Sequence, residues 1–168
     1  MNADELKKIQ SPLKEKYRDQ PESSLVTLKV NGRLGEGISC KLETPRSLID
    51  AGLHPATGGS GLQACSGDLL LEALVACAGV TLSAVATAIG IEITEGEITA
   101  EGDLDFRGTL GVSKEAPVGF KAIRLNFNLQ SNATTEQLES LKKLTERYCV
   151  VYQTITKGVP VDTNYKLN

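Results

Sequence analysis

The stretch that decides the fold is ALVACAGVTLSAVATAIGI, residues 73–91, which holds no charged side chain. About 20 apolar residues can span a bilayer, so a membrane helix has to be considered. The segment is rich in Ala, Gly, Thr and Ser, and its flanking charges, such as Asp68 and Glu92, are acidic on both sides, without a positive-inside signal. The pattern therefore favours a buried helix of a soluble protein, from about Gly67 to Ile89. Gly90 stands where a left-handed C-terminal cap belongs.

Ahead of this helix, the sequence predicts a β-hairpin. Residues 24–30 alternate apolar and polar side chains as a strand does, and Asn31-Gly32 is a tight-turn signal. A second strand is predicted over residues 37–43.

After the helix, strand patterns alternate with helix signals. Strands are predicted over residues 92–101, 103–110 and 120–130, with Gly102 separating the first two. Thr134-Thr-Glu-Gln137 is a capping-box signature that opens a helix. Further along, the sequence predicts a helix over 149–157 that ends at Gly158, then a last strand over 159–166. This order predicts an α+β fold rather than a regular parallel-sheet alternation.

Length and charge narrow the class of protein. With 168 residues, the chain fits one domain, predicted over residues 23–168, preceded by a charged helical extension over 1–22 with a break at Pro12. We expect that extension to be an appendage or a partner contact. The net charge is −3 and no Lys/Arg cluster stands out, which argues against nucleic-acid binding and against attraction to a membrane surface.

Cysteine usage points to a reducing compartment. The first 20 residues lack the apolar stretch of a signal peptide, so a cytoplasmic location is expected for the four cysteines. None is spaced as C-x-x-C, and His54 is the only histidine. We therefore expect no metal and no cofactor.

Each cysteine has a structural and a chemical interpretation. Cys77, inside the buried helix, is either a small core hydrophobe or a nucleophile. Cys149 lies at a helix junction, where free backbone N–H groups favour a thiolate. Cys40, on a strand, is expected to pack in the core. Cys65 follows a Gly-rich loop and could be exposed and reactive.

Four segments, in order, resemble the OsmC-like family over about residues 25–166. They are GGSGLQACSGDLLLEALVACAGVTLSAVATAIGI (58–91), FRGTLG (106–111), GFKAIRLNFNLQ (119–130) and ERYCVVYQTITKGVPV (146–161). The resemblance implies an intertwined homodimer, in which curved antiparallel sheets wrap around long buried central helices. It also implies reduction of organic hydroperoxides by two cysteines. Cys77 would attack the peroxide and Cys149 would resolve the product.

Two departures from the family pattern concern the site. The active branches commonly carry Pro-Glu near the start of the central helix, and that Glu holds a catalytic Arg. This chain has Gly67-Asp68 there, and Val150 where Pro often follows the second cysteine. By resemblance, Arg33 is the expected arginine, with Arg107 as the alternative and a solvated surface charge as the plain interpretation of either.

Two functions stay open at this point. The first is a thiol peroxidase that forms a sulfenic acid on Cys77 and a disulfide with Cys149, which an external dithiol reduces. The second is a non-catalytic or differently tasked member that binds a small apolar ligand, an alternative that Gly67-Asp68 favours. Convergence of an Arg, Asp68 and Cys77 would separate the two.

Overall fold

The elements follow the chain in an order that surrounds one long helix. The structure is a computed structural model that describes residues 3–34, 40–42, 51–62 and 64–166. Its helices and strands are α1 Ala3–Asp19, β1 Leu25–Leu34, β2 Cys40–Leu42, β3 Ala51–Gly52, β4 Ala64–Cys65, α2 Ser66–Ala88, β5 Ile93–Asp105, α3 Phe106–Thr109, β6 Ala122–Ser131, α4 Thr135–Tyr148 and α5 Val150–Lys157. Short 3₁₀ turns cover Pro21–Ser24 and Pro55–Thr57.

An antiparallel sheet forms the floor of the fold. Its strand order is β2-β1-β5-β6. The long central pair runs from Leu25 opposite Asp105 to Arg33 opposite Glu97. Alternate residues of β5 are buried, among them Ile98 and Ala100 at 0% exposure, because side chains of a strand point to opposite faces in turn. One face of the sheet therefore carries the core, and the fold class is α+β, as predicted.

Helix α2 packs against β1 and β5 of this sheet. Its buried residues recur at helical spacing and include Leu71, Leu74, Val75, Ala78, Leu82 and Val85. The helix is long and apolar enough to cross a membrane by length and composition, and half of its most apolar window is buried. The other side stays open, with Leu70 and Val80 each 40% exposed. Gly90 follows with φ +73°, which confirms the predicted left-handed cap.

The tight turn predicted at Asn31-Gly32 is wrong, although β1 and β2 do pair antiparallel. Strand β1 continues to Leu34, because Asn31 and Gly32 lie opposite Thr99 and Ile98 of β5 and keep the ladder intact. A long cross-strand partner thus overrides the local turn signal. The reversal to β2 falls outside the described residues.

Gly102 does not separate two strands, as the sequence had suggested. It lies inside β5, where a Cβ atom would overlap with the Phe120 ring. The glycine thus makes room for an aromatic side chain rather than ending the strand. The predicted strand over 103–110 instead ends at Asp105, whose side chain caps α3 by accepting the Arg107 N–H.

The two ends of the chain also differ from expectation. Helix α1 runs through Pro12 without a break. Its Tyr17 is 3% exposed and donates a hydrogen bond of 2.6 Å to the Ala56 carbonyl oxygen, so α1 is anchored to the core. The division into residues 1–22 and 23–168 stays a prediction.

At the other end, the last predicted strand is wrong. Residues 158–166 lie outside any strand. Val161 and Tyr165 are 78% and 90% exposed, so the alternating pattern finds no partner among the described residues.

Candidate active site

The α4–α5 junction places Cys149 against the middle of α2. The predicted capping box at Thr134 and Gln137 is confirmed as the start of α4. This helix packs through Leu141, which is 1% exposed. Cys149 then adopts an extended conformation (φ −70°, ψ 106°), which ends α4 and starts α5 one residue later. The sequence had predicted this junction.

Cys149 serves as the N-cap of α5. Its Sγ accepts the Tyr152 N–H at 3.4 Å, and its own N–H donates to the Thr145 carbonyl oxygen at 2.9 Å. The residue is 1% exposed. Its thiol lies within hydrogen-bonding reach of the Cys77 thiol, and both cysteines are free. The structure therefore brings together the two cysteines that the sequence had paired by resemblance.

The surroundings of Cys77 favour its thiolate. Burial alone would raise its pKa, but the Val151 N–H, the Cys149 thiol, the Thr81 hydroxyl and the Val150 N–H together lower it below its usual value. Two of these donors are backbone groups of the first turn of α5, which lack helical partners of their own. The start of α5 therefore acts on a sulfur that belongs to a different helix.

Cys149 is affected in the opposite direction. Burial raises its pKa, and interaction with Cys77 adds to the rise, while the Tyr152 N–H opposes it. A single negative charge shared by the pair therefore resides on Cys77. Since the thiolate is the nucleophilic form of a cysteine, Cys77 is the more reactive thiol of the two.

Thr81 is a site residue that the sequence analysis missed. It follows Cys77 by four residues on α2, so the two side chains share one helix face. A threonine one turn after a buried cysteine was the signal that could have revealed it.

The two candidate arginines lie in different surroundings. The main chain of Arg33 lies on β1 opposite Glu97 and Lys41, and its side chain falls outside the described part. Arg107 is committed to Asp105, with contacts of 2.6 Å from Nη2 to Oδ2 and 3.0 Å from Nε to Oδ1. Arg107 is therefore occupied as a structural partner, and Arg33 stays the predicted arginine.

Asp68 lies in the first turn of α2, away from Cys77. Cys77 follows Asp68 by nine positions, which places the two residues about 13.5 Å apart along the helix axis and on opposite sides of the helix. Burial raises the pKa of Asp68, and attraction from His54 opposes the rise. Among the described side chains, His54 is the cation-forming group that acts on Asp68. The role of Asp68 in holding an Arg stays a prediction.

His54 lines a cavity next to the start of α2. Its Nδ1 accepts the Ala56 N–H at 3.0 Å, and its ring stacks on Phe106 with centroids 4.8 Å apart. Burial lowers its pKa, while Asp68 opposes that shift. The cavity, of about 410 Å³, also includes Cys65 in its wall. Within the described ranges, no three His, Cys, Asp or Glu side chains gather as metal ligands.

A larger groove of about 580 Å³ lies between β6 and α4. Leu125, Phe127 and Leu129 line its sheet side, and Cys149 closes one part of it. This volume is in the range of small-molecule sites. The groove was not foreseen from the sequence, because it depends on how α4 lies over the sheet edge.

The fold is α+β, with a long apolar helix packed on an antiparallel sheet. One thiol lies on this helix, and a second thiol lies next to it at a helix junction. The protein therefore falls in the class of α+β proteins with paired cysteines. The chain belongs to the OsmC-like family: the family model for OsmC-like proteins matches residues 59–164, more than half of its length.

Solved structures agree on the fold. One is an OsmC-like hydroperoxide resistance protein from Jannaschia sp. CCS1, with a TM-score of 0.62 and 17% identity over 86% of this chain and 95% of that one. Another is an OsmC-like protein from Mycoplasma pneumoniae, with a TM-score of 0.55 and 18% identity over 80% of this chain and 86% of that one. A comparison with curated proteins finds no match.

Proposed function

We propose that this protein is a thiol peroxidase that reduces organic hydroperoxides with Cys77 as nucleophile and Cys149 as resolving cysteine. The observation that supports it is the opposite pKa displacement of two adjacent thiols, lowered at Cys77 and raised at Cys149. The similar protein from Jannaschia is a hydroperoxide resistance protein, which points to the same chemistry.

The proposed reaction balances in three steps. The Cys77 thiolate attacks the terminal peroxide oxygen; an S–O bond forms, the O–O bond breaks, and the alkoxide takes a proton and leaves as the alcohol. The Cys149 sulfur then displaces hydroxide from the Cys77 sulfenic acid, and the Cys149 proton completes a water molecule. An external dithiol reduces the resulting disulfide and is itself oxidised to a disulfide.

The hydrogen-bond donors around Cys77 supply part of what a reactive thiolate needs. Arg33 is the proposed cation that adds to them, because α2 packs against the strand that carries Arg33. Asp68 is proposed to position that arginine in place of the family's Glu. Asp68 differs from that Glu in two respects: its side chain is one methylene shorter, and it interacts with His54.

We also propose that the protein is a cytoplasmic homodimer. Along one face of α2, Leu70 and Val80 are 40% exposed and lie on the same side as the half-buried Cys77. An apolar face of this kind on a central helix is suited to a second copy of the chain.

Cysteine variants test the mechanism. With cumene hydroperoxide and dithiothreitol, Cys77→Ser should abolish turnover. Cys149→Ser should allow one oxidation and leave a sulfenic acid on Cys77, detectable by mass spectrometry. Cys65→Ser is the matched control and should keep the wild-type rate. A main oxidation product that contains a Cys65–Cys77 or Cys65–Cys149 disulfide would overturn the assignment.

The groove between β6 and α4 favours one second candidate, a protein that binds a small apolar ligand without turning it over. Its sheet wall of Leu125, Phe127 and Leu129 is suited to such a ligand. If an alkyl hydroperoxide oxidises no cysteine of the folded protein, this candidate replaces the peroxidase.

A further inference from the structure

The interruption between α4 and α5 determines what the nearby backbone N–H groups contact. In a continuous α-helix, the N–H of residue 150 would bond to the carbonyl oxygen of residue 146, and that of residue 151 to residue 147. The extended backbone of Cys149 breaks this series, and the Val150 and Val151 N–H groups donate to the Cys77 sulfur of α2 instead. The interruption is therefore what makes these two donors available to the thiol.

A side chain from α5 supplies the hydrogen bond that the interruption takes from α4. The Glu146 carbonyl oxygen would have the Val150 N–H as its partner in a continuous helix, and backbone carbonyl groups that are not fully solvated need a donor. The Gln153 Nε2 donates to this oxygen at 2.7 Å, in a partly buried contact. The Gln153 N–H also donates to the Cys149 carbonyl oxygen at 2.9 Å. Gln153 therefore reaches from α5 back across the junction to α4.

We propose that Gln153 is a positioning residue: by binding the Glu146 carbonyl oxygen, its side chain keeps the Val150 N–H directed at the Cys77 sulfur. This inference rests on the proposed role of Cys77 as the nucleophile. The amide of Gln153 acts through the backbone of the junction, and the group that contacts the sulfur is the N–H of Val150.

The Val150 N–H has two competing acceptors. One is the Glu146 carbonyl oxygen, four residues earlier, and the other is the Cys77 sulfur. A carbonyl oxygen is a strong acceptor and a cysteine sulfur a weak one, and each helical bond that forms favours the next. A Glu146 oxygen without another donor would therefore favour continuation of α4 through Cys149. The Gln153 amide opposes this continuation because it already binds that oxygen.

The residue after Cys149 explains why such a contact is needed. A proline at position 150 would end α4 unaided, because proline has no N–H to offer the Glu146 carbonyl oxygen. Val150 keeps its N–H, which can serve the Cys77 sulfur but also permits α4 to continue. Val150 and Gln153 together thus provide an interrupted helix and a donor for the thiol, whereas a proline provides only the interruption.

Gln153→Met tests this role, because methionine has nearly the length of glutamine and no N–H. Alkylation of Cys77 by iodoacetamide is followed across pH by mass spectrometry, after cleavage at Glu72 to separate Cys77 from Cys65. The pH of half-maximal rate should move upward. Below that pH the rate should fall about tenfold, as expected for the loss of one hydrogen bond to a charged sulfur. At high pH, where Cys77 is fully ionised, variant and wild type should react alike.

Gln153→Ala is the second variant, since it removes the amide without adding an apolar side chain, and it should give the same profile. A wild-type profile in both variants would overturn the inference.

Thr156→Val is the matched control on α5. It also removes a hydrogen bond from a side chain to a backbone carbonyl, since the Thr156 hydroxyl donates to the Tyr152 carbonyl oxygen at 2.8 Å. Its alkylation profile should match that of the wild-type protein. A slowing equal to that of Gln153→Met would show that any weakening of α5 has this effect, and the specific role of the contact between Gln153 and Glu146 would be rejected.

Alkylation does not depend on peroxide chemistry, so the two proposals fail separately. If the Gln153 variants shift the profile and the wild-type protein consumes no cumene hydroperoxide, the peroxidase proposal fails while the positioning of the Cys77 thiolate stands. If the profile is unchanged and the wild-type protein reduces the peroxide, only the positioning role fails. If both proposals hold, Gln153→Met should also slow the oxidation of Cys77 by cumene hydroperoxide at neutral pH.

Discussion

The Arg107 guanidinium forms a salt bridge with the carboxylate of Asp105, two residues earlier in the chain, with Nη2 2.6 Å from Oδ2. The Asp105 side chain is 1% exposed and also accepts a 2.6 Å hydrogen bond from the Ser24 hydroxyl. This carboxylate therefore ties the 3₁₀ turn at Pro21–Ser24 to the start of α3. Because Arg107 and Ser24 bind this carboxylate, Asp105 stabilises the fold and takes no part in the chemistry of the thiols.

Asp105→Asn should destabilise the protein by about 2–4 kcal/mol, since it leaves a buried network without its charge. The Arg107 hydrogen bonds hold the pKa of Asp105 well below its usual range. The stabilisation is therefore complete above the unfolded value of about 4 and is lost as the pH falls toward the lowered folded value. Urea unfolding between neutral and acidic pH measures both effects.

The matched control is Asp103→Asn. Asp103 contacts Arg124 at 2.6 Å on a more open part of the sheet, so its loss should cost about 0–1 kcal/mol. Equal losses of unfolding free energy in the two variants would show that the Asp105 network stabilises the fold no more than an exposed ion pair does.

Thr81→Val should raise the pKa of Cys77, because the Thr81 hydroxyl is one of the donors that lower it. The pH at which iodoacetamide alkylates Cys77 at half its maximal rate should move upward, and reaction with cumene hydroperoxide at neutral pH should slow. Thr87→Val is the control on the same helix, since its hydroxyl donates to the Ser83 carbonyl oxygen at 2.8 Å. An unchanged alkylation profile in Thr81→Val would reject this contact.

Asp68→Asn should lower the pKa of His54, since the Asp68 carboxylate favours the protonated imidazole. His54 is the only histidine, so its ring signals in an NMR titration report this shift without overlap. Glu72→Gln is the control on the next turn of α2.

The same Asp68 variant tests the proposed arginine. If Asp68 positions Arg33, peroxide reduction should fall while the fold persists. A wild-type rate would restrict Asp68 to its contact with His54.

Val80→Lys should convert the proposed homodimer to a monomer, because it places a charge in the middle of the exposed face of α2. Size-exclusion chromatography with light scattering gives the mass at micromolar concentration. Val118→Lys, at a position that is 67% exposed in a loop, should leave the mass unchanged. A monomer mass for the wild-type protein would reject the dimer.

The sequence predicted those parts of the fold whose signals are local. The capping box at Thr134 and the cap glycine at Gly90 were found because each depends on a few adjacent residues. The predictions of a turn at Asn31-Gly32 and of a break at Gly102 were wrong because each glycine contacts a residue distant in the sequence. Gly32 pairs with β5, and Gly102 packs against the Phe120 ring.

The site shows the same limit. The pairing of Cys77 with Cys149 came from resemblance, not from spacing. The donors from Val150 and Val151 could not be read from the sequence, because they act across a contact between α2 and α5.

The N-cap position of Cys149 ties α5 to the disulfide couple proposed for Cys77 and Cys149. In the reduced state, the first turn of α5 uses its N–H groups on both sulfurs: Tyr152 on Cys149, and Val150 and Val151 on Cys77. A change that strengthens these hydrogen bonds therefore stabilises the reduced form. It raises the reduction potential of the proposed pair, so that the disulfide is easier to reduce. In the proposed couple, the stability of this eight-residue helix and the oxidising strength of the disulfide are therefore linked.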